Sequence, residues 1–180
     1  MDIVAHGLWV GIGLTALARQ RPICRRTAIW TVGLAVLPDL VQLLPVAGWA
    51  ASQPGGWATV KAYATALPGF EPGLPPLVAL LTHHLHCVFH SAVVAAAVSA
   101  MVWLATRSVW LPLAGWWAHI VIDVFTHSAE FYPSPVLYPI TQQGFDGIAW
   151  NTPWFVAANY TAIGAATLAL FLTRRSMSRA

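Results

Sequence analysis

Five long apolar runs, separated by short polar or basic segments, organise the chain. They cover residues 3–18, 28–50, 76–106, 109–126 and 154–173, each near the roughly 20 residues that a helix needs to cross a bilayer. The pattern predicts an all-α, polytopic membrane bundle of about five transmembrane helices, forming one integral membrane domain over residues 1–180. The first run is short, so it is expected to tilt little or to sit where the bilayer is thin. The third is longer than a crossing needs, and its start is expected to project into the interface. Two long connections, 51–75 and 127–153, are rich in Pro, Gly and aromatics, among them Trp57, Tyr63, Phe70, Phe131, Tyr132, Tyr138, Phe145 and Trp150. Aromatic rings with a polar edge favour the headgroup layer. These loops therefore read equally as a surface lid or as linkers with interfacial anchors.

Composition strengthens the membrane reading. Hydrophobic residues make up 58% of the chain and charged residues only 8%, against about a quarter charged in soluble domains. A water-soluble globule is excluded, and so is a solvated disordered chain. The net charge of +3 comes from position rather than from a basic face. Arg19, Arg21, Arg25 and Arg26 lie between the first two runs, Arg107 between the third and fourth, and Arg174, Arg175 and Arg179 after the fifth. Basic clusters flanking spans favour the cytoplasmic side. An odd number of spans then puts the N-terminus outside and the C-terminus in the cytoplasm, with only Lys61 among the outer loops. No run interleaves basic and aromatic residues as a nucleic-acid groove would, so no nucleic-acid partner is expected. The Met1-Asp2-Ile3 start lacks the basic region of a signal peptide, which predicts an uncleaved first helix. On this topology Cys24 and Cys87 lie at opposite faces, too far apart to form a disulfide.

Ionisable side chains inside a bilayer are costly and mark functional sites. His6, Asp39, His90, His119 and Asp123 each interrupt an apolar run. Measured along ideal helices from the nearest inner arginine, all five fall in one layer roughly 18–25 Å above it, in the outer half of the bilayer. His119, Asp123 and His127 share one face of the fourth helix, and His83, His86 and His90 one face of the third, with His84 pointing elsewhere. His83, His86 and His127 are expected near the outer interface, where imidazole is solvated cheaply.

Imidazole and carboxylate together are ligands for zinc, or for iron or manganese, and an open coordination position makes such a site catalytic. The set predicts a divalent metal, zinc foremost, held by His6, Asp39, His90, His119 and Asp123, with ligands enough for one ion or two. His86 and His127 are candidate catalytic residues, as extra ligands or as a general acid at the mouth of the site. Against this stands a purely structural reading, in which membrane histidines are interhelical hydrogen-bond donors and Asp39 satisfies a helix break after Pro38. Ser91 and Thr126 read as packing residues, and Asp2 and Asp146 as surface carboxylates or outer-shell partners. The sequence holds no H-E-x-x-H and no G-x-S-x-G, and no arginine reaches the outer layer to clamp phosphate.

These residues also carry a resemblance. His6-Gly7, Leu37-Pro38-Asp39, His86-x3-His90-Ser91, His119-x3-Asp123 with Thr126, and Tyr138-Pro139 occur in this order over the first 140 residues or so. In this the chain resembles bacterial inner-membrane proteins described as membrane-bound metal-dependent hydrolases, themselves distantly similar to zinc-dependent phospholipases C. The resemblance implies a multi-pass inner-membrane protein with hydrolase activity. The chain departs from that pattern in Cys87 after His86, in Phe89 before His90, and in Leu40 and Val41 where a second acid would follow Asp39. The leading expectation is a metal-activated water attacking a lipid or lipid-linked ester or phosphoester at the outer leaflet, the bilayer being the partner. Two alternatives stand beside it: a haem-binding electron carrier, and a metal-ion binding or transport protein.

Overall fold

A computed structural model describes residues 1–177, with side chains described up to Thr173. Arg179 lies outside the described residues, as do the side chains of Arg174 and Arg175. Seven helices follow one another: α1 (Ile3–Leu17), α2 (Arg25–Ala50), α3 (Gly56–Thr65), α4 (Pro76–Phe89), α5 (Ala92–Thr106), α6 (Leu113–Thr126) and α7 (Pro153–Met177). Among the described residues there is no strand, only a bridge between Ser128 and Phe131. The expected all-α class holds.

Local chemistry sets the boundaries. Asp2 caps α1 by accepting from the Ala5 amide at 3.0 Å, and Ser91 caps α5 by accepting from Val94 at 3.1 Å. Both satisfy amides that the first helical turn leaves without partners. Pro76 and Pro153 open α4 and α7, where a missing N–H costs nothing. Arg107 ends α5 in a left-handed conformation, with φ of 54°.

Two helices, α2 and the Pro153–Thr173 part of α7, are long and apolar enough to cross a membrane. The count becomes three if α4 and α5 form one broken span. This corrects the expected unbroken helix over 76–106, because the two halves meet at a 63° bend. The cause is local: the Ser91 hydroxyl donates to the Tyr138 carbonyl, and the Ala92 amide donates to Val136 at 2.8 Å. A returning loop thus takes donors that a continuous helix would keep for itself. α1 and α6 are apolar but shorter; α6 starts at Leu113 rather than 109. The connection 51–75 contains α3.

The long α2 is the hub, packing against α1, α3, α4 and α6, while α7 lies on α1 and α5 on α6. Gly115 makes the α2–α6 contact close, since a Cβ there would overlap the Thr31 carbonyl and lie 3.2 Å from the Ala35 nitrogen. Ala95, Leu113, Trp116 and Ile120 form an apolar core between α5 and α6, where the Trp116 indole donates to the Phe89 carbonyl at 2.6 Å. Buried polarity and exposed greasiness run opposite to a soluble protein. His6, His90, His119 and Asp123 are at most 1% exposed, whereas Leu168, Phe171 and Leu172 on α7 are half exposed. That inversion suits a hydrocarbon solvent.

Candidate metal centre

The site gathers side chains from four helices. His6 lies in the first turn of α1, Asp39 follows Pro38 inside α2, His90 ends α4, and His119 and Asp123 sit one turn apart on α6. Pro38 has no amide to give the Leu34 carbonyl, and its ring presses on that turn of helix. In that loosened turn the Ala35 carbonyl accepts from His119 Nδ1 at 2.8 Å.

That bond decides the chemistry of the ring. With Nδ1–H donating to a carbonyl, Nε2 of His119 is the lone-pair nitrogen. His90 is fixed the same way, its Nδ1 donating to the His86 carbonyl at 2.8 Å. Yet the two Nε2 atoms face each other at 3.1 Å. Around them stand carboxylate oxygens: Asp123 Oδ2 lies 3.1 Å from His119 Nε2 and 3.4 Å from His90 Nε2. Asp39 Oδ1 lies 3.5 Å from His90 Nε2 and 3.8 Å from His119 Nε2. With both rings neutral, four acceptors converge here, an arrangement that repels itself unless a proton or a metal cation is shared.

A divalent ion fits this set. Ligand atoms of Asp39, His90, His119 and Asp123 all lie within 4.8 Å of one another. A tetrahedral ion with bonds of about 2.1 Å places its ligands about 3.4 Å apart, and the separations above, 3.1 to 3.8 Å, straddle that value. The carbonyl partners on each Nδ1 are the outer contacts that commonly orient a metal-binding histidine.

Of the five ligands expected from sequence, four meet in this group, and His6 stands beside it. Its ring stacks on His119 with centroids 4.0 Å apart. Its Nε2 approaches the other oxygen of Asp123 at 2.9 Å but out of line for a hydrogen bond, so both its buried nitrogens lack a hydrogen-bond partner. The amino group of Met1 also contacts Asp123 Oδ1. Asp123 thus turns one oxygen to the four-ligand group and the other to His6 and Met1.

His86 and His127 adjoin the group. His86 Nδ1 pairs with Gln42 Oε1 at 2.9 Å, and its ring lies 4.2 Å from that of His90. His127 Nδ1 donates to the Asp123 carbonyl at 3.1 Å and is 3.5 Å from its Oδ1. The expectation of a solvated His127 is corrected: the side chain is buried. The reason is that the loop after α6 folds back, Gly147 and Trp150 donating to the His127 and Thr126 carbonyls at 2.8 and 2.9 Å. Gly147 is required there, since a Cβ would lie 2.6 Å from the Phe125 carbonyl oxygen. His83 and His84 are exposed, and both cysteines are free. Asp2 and Asp146 serve as backbone acceptors, for Ala5 and for Ala129. Sequence reasoning missed Gln42, although its place three residues after Asp39 puts it on the same helical face.

Asp39, His86, His90 and His127 are among the residues lining a cavity of about 740 Å³, within the roughly 300–1,000 Å³ of small-molecule sites. The remaining wall is largely apolar, including Ile3, Val4, Leu43 and Leu74. Residues of both long connections, among them Tyr63, Glu71, Tyr132 and Trp150, also line it. The loops are joined there by the Tyr132 hydroxyl, which donates to Glu71 Oε1 at 2.7 Å.

Comparisons with protein-family models, with curated proteins and with solved structures gave no match.

Proposed function

We propose that the protein is a metal-dependent hydrolase embedded in the bacterial inner membrane, acting on a lipid or lipid-linked ester or phosphoester near the outer leaflet. The proposal takes the bundle as five spans, with α4 and α5 as one broken crossing, N-terminus outside and C-terminus cytoplasmic. The observation that carries it is the pair of lone-pair nitrogens on His90 and His119, 3.1 Å apart and ringed by two carboxylates. Asp39, His90, His119 and Asp123 would hold the ion, with zinc favoured by the mixed nitrogen and oxygen donors. When bound, such an ion supplies Lewis-acid activation of water and of the ester.

The chain's own residues divide the rest of the work. Asp123 and Asp39 would balance the ion's charge, Asp39 from the wall of the cavity. His86 and His127, which line the cavity beside the ligands, carry the water's proton to the leaving oxygen. Gln42 holds His86 with its Nε2 free for that transfer. The apolar wall takes the hydrocarbon part of the substrate.

The two other readings fit less well. Haem carriage needs a porphyrin between two axial imidazoles, but the His90–His119 gap is 3.1 Å and Asp123 Oδ2 borders it. A transit site needs polar groups continuing through the bundle, whereas Trp116, Ile120, Ala95 and Leu113 fill the α5–α6 core on that side. The resemblance to membrane-bound metal-dependent hydrolases points the same way as the geometry.

The test is elemental analysis of detergent-purified protein, joined to hydrolysis of lipid esters in vesicles. We expect a near-stoichiometric divalent ion, lost in His119→Ala and Asp123→Ala, and hydrolysis abolished by a chelator and restored by zinc. A folded protein that takes up no divalent ion would overturn the proposal.

A further inference from the structure

The cavity wall has a charge pattern that the hydrolytic reading does not use. Two carboxylates besides Asp39 line it, Asp2 and Glu71. Neither has a cationic partner among the described residues: Asp2 accepts from the Ala5 amide and the Tyr160 hydroxyl, and Glu71 from the Gly69 amide and the Tyr132 hydroxyl. Among the described residues no lysine or arginine lines the cavity. A divalent ion among the four ligands, together with the Met1 ammonium on Asp123, would more than balance Asp39 and Asp123, and Asp2 and Glu71 are two further negative charges on the wall. Low-dielectric walls focus such a field and draw in cations.

Aromatic rings accompany Glu71. Phe131 packs edge-on against Tyr132 with centroids 5.2 Å apart and against Trp150 at 5.9 Å. Burial first, and the nearby charge of Glu71 second, push the Tyr63 phenol up. Burial and the Glu71 hydrogen bond do the same for Tyr132, so both phenols stay neutral. The Tyr132 hydrogen bond chiefly holds the Glu71 carboxyl below its usual range. A permanent carboxylate beside neutral aromatic rings is the chemistry that recognises ammonium groups.

We propose that Glu71, Tyr63 and Tyr132 form a subsite for a cationic amine, so that the substrate is a lipid whose polar head carries an ammonium group. The word substrate rests on the hydrolytic reading; the binding itself does not. One end of the ligand's head meets the four-ligand group, the ammonium meets the Glu71 corner, and the chain follows the apolar wall. A purely anionic head finds no lysine or arginine on the wall among the described residues, the Met1 ammonium being already paired with Asp123, and meets Glu71 instead.

The test is native mass spectrometry of the metal-loaded, detergent-solubilised protein in competition between phosphatidylethanolamine and its N-acetylated form, which lacks the positive charge. Phosphatidylglycerol serves as an anionic third arm. We expect the amine lipid to be retained about tenfold over either competitor, a factor that about 1.4 kcal/mol of charge and cation–π attraction supplies. Glu71→Gln should reduce the preference to near unity. Tyr63→Leu, which leaves the Glu71–Tyr132 bond in place, should weaken it several-fold. Equal retention of charged and acetylated lipid by the wild-type protein overturns the subsite, as does a preference unchanged in both variants. Because binding is read directly, a protein that prefers the amine lipid but hydrolyses nothing keeps the subsite and loses only the enzyme assignment. One that hydrolyses lipid but retains all three alike does the reverse.

Discussion

Gly115→Ala places one methyl group at the closest approach of α2 and α6. The new Cβ would overlap the Thr31 carbonyl oxygen and lie 2.9 Å from its carbon. Both obstacles are backbone, so no rotamer relieves them, and clearing them moves α6 away from α2 by about 1 Å. His119 lies one turn further along α6. A shift of that size stretches its 2.8 Å bond to the Ala35 carbonyl beyond hydrogen-bonding range and widens its 3.8 Å separation from Asp39. Metal sites tolerate displacements of only about 0.2 Å in ligand distance, and loss of one outer contact on a ligand costs about 10- to 100-fold in affinity. Metal retention by detergent-purified protein, titrated against a competing chelator, measures the effect, with an expected fall of at least 10-fold. Overpacking should also cost about 1–3 kcal/mol of stability. Gly33→Ala on α2 is the control, since a Cβ there meets nothing within 4 Å. Gly115→Ala protein that holds metal as tightly as the control would refute the argument that helix spacing sets the ligand geometry.

Two further outcomes follow from contacts at the loops. Ser91→Ala removes the cap on Val94 and the donor to the Tyr138 carbonyl; it should cost about 1 kcal/mol, a fall in Tm of about 2–4 °C, with Ser91→Thr recovering most of it and no change on Ser91→Ala contradicting the role. The Glu71 carboxyl is held below its usual range chiefly by Tyr132, so its contribution is present above the ordinary carboxylate value and is lost as pH falls through the lowered one. Labelling of single cysteines placed on the cavity wall, taken at each pH as a ratio to the same cysteine in Tyr132→Phe so that the falling thiolate fraction cancels, should be slower in the wild type near neutral pH and converge on the variant in that acid window; a ratio independent of pH would exclude the pair as the tie between the loops.

Sequence pattern reached the helical class and the polar layer because both depend on hydropathy and on the fixed rise of a helix. Asp39, His90, His119 and Asp123 could be grouped by depth alone, and the structure brings their ligand atoms within 4.8 Å. What escaped depended on contacts between distant segments. The bend after His90 is made by Val136 and Tyr138, more than forty residues away, and nothing in the 76–106 run marks it except a serine among alanines and valines. The burial of His127 follows from Gly147 and Trp150 pairing back onto the end of α6. His6 shares the depth of the other ligands, but its rotation about α1 turns it to the far oxygen of Asp123, and depth carries no information about rotation. The Tyr132–Glu71 bond joins two loops that have no periodicity to read.

The two imidazoles that face each other are aimed by main-chain oxygens, at Ala35 and at His86. Such partners survive every side-chain replacement at their own positions. A scan that trims residues one at a time would therefore score Ala35 as silent even though its carbonyl sets which nitrogen of His119 is free. The vulnerability moves to whatever steers the path of α2: replacing Pro38 restores a donor to the turn and tightens it, altering proton placement on a ring in another helix without touching a single ligand.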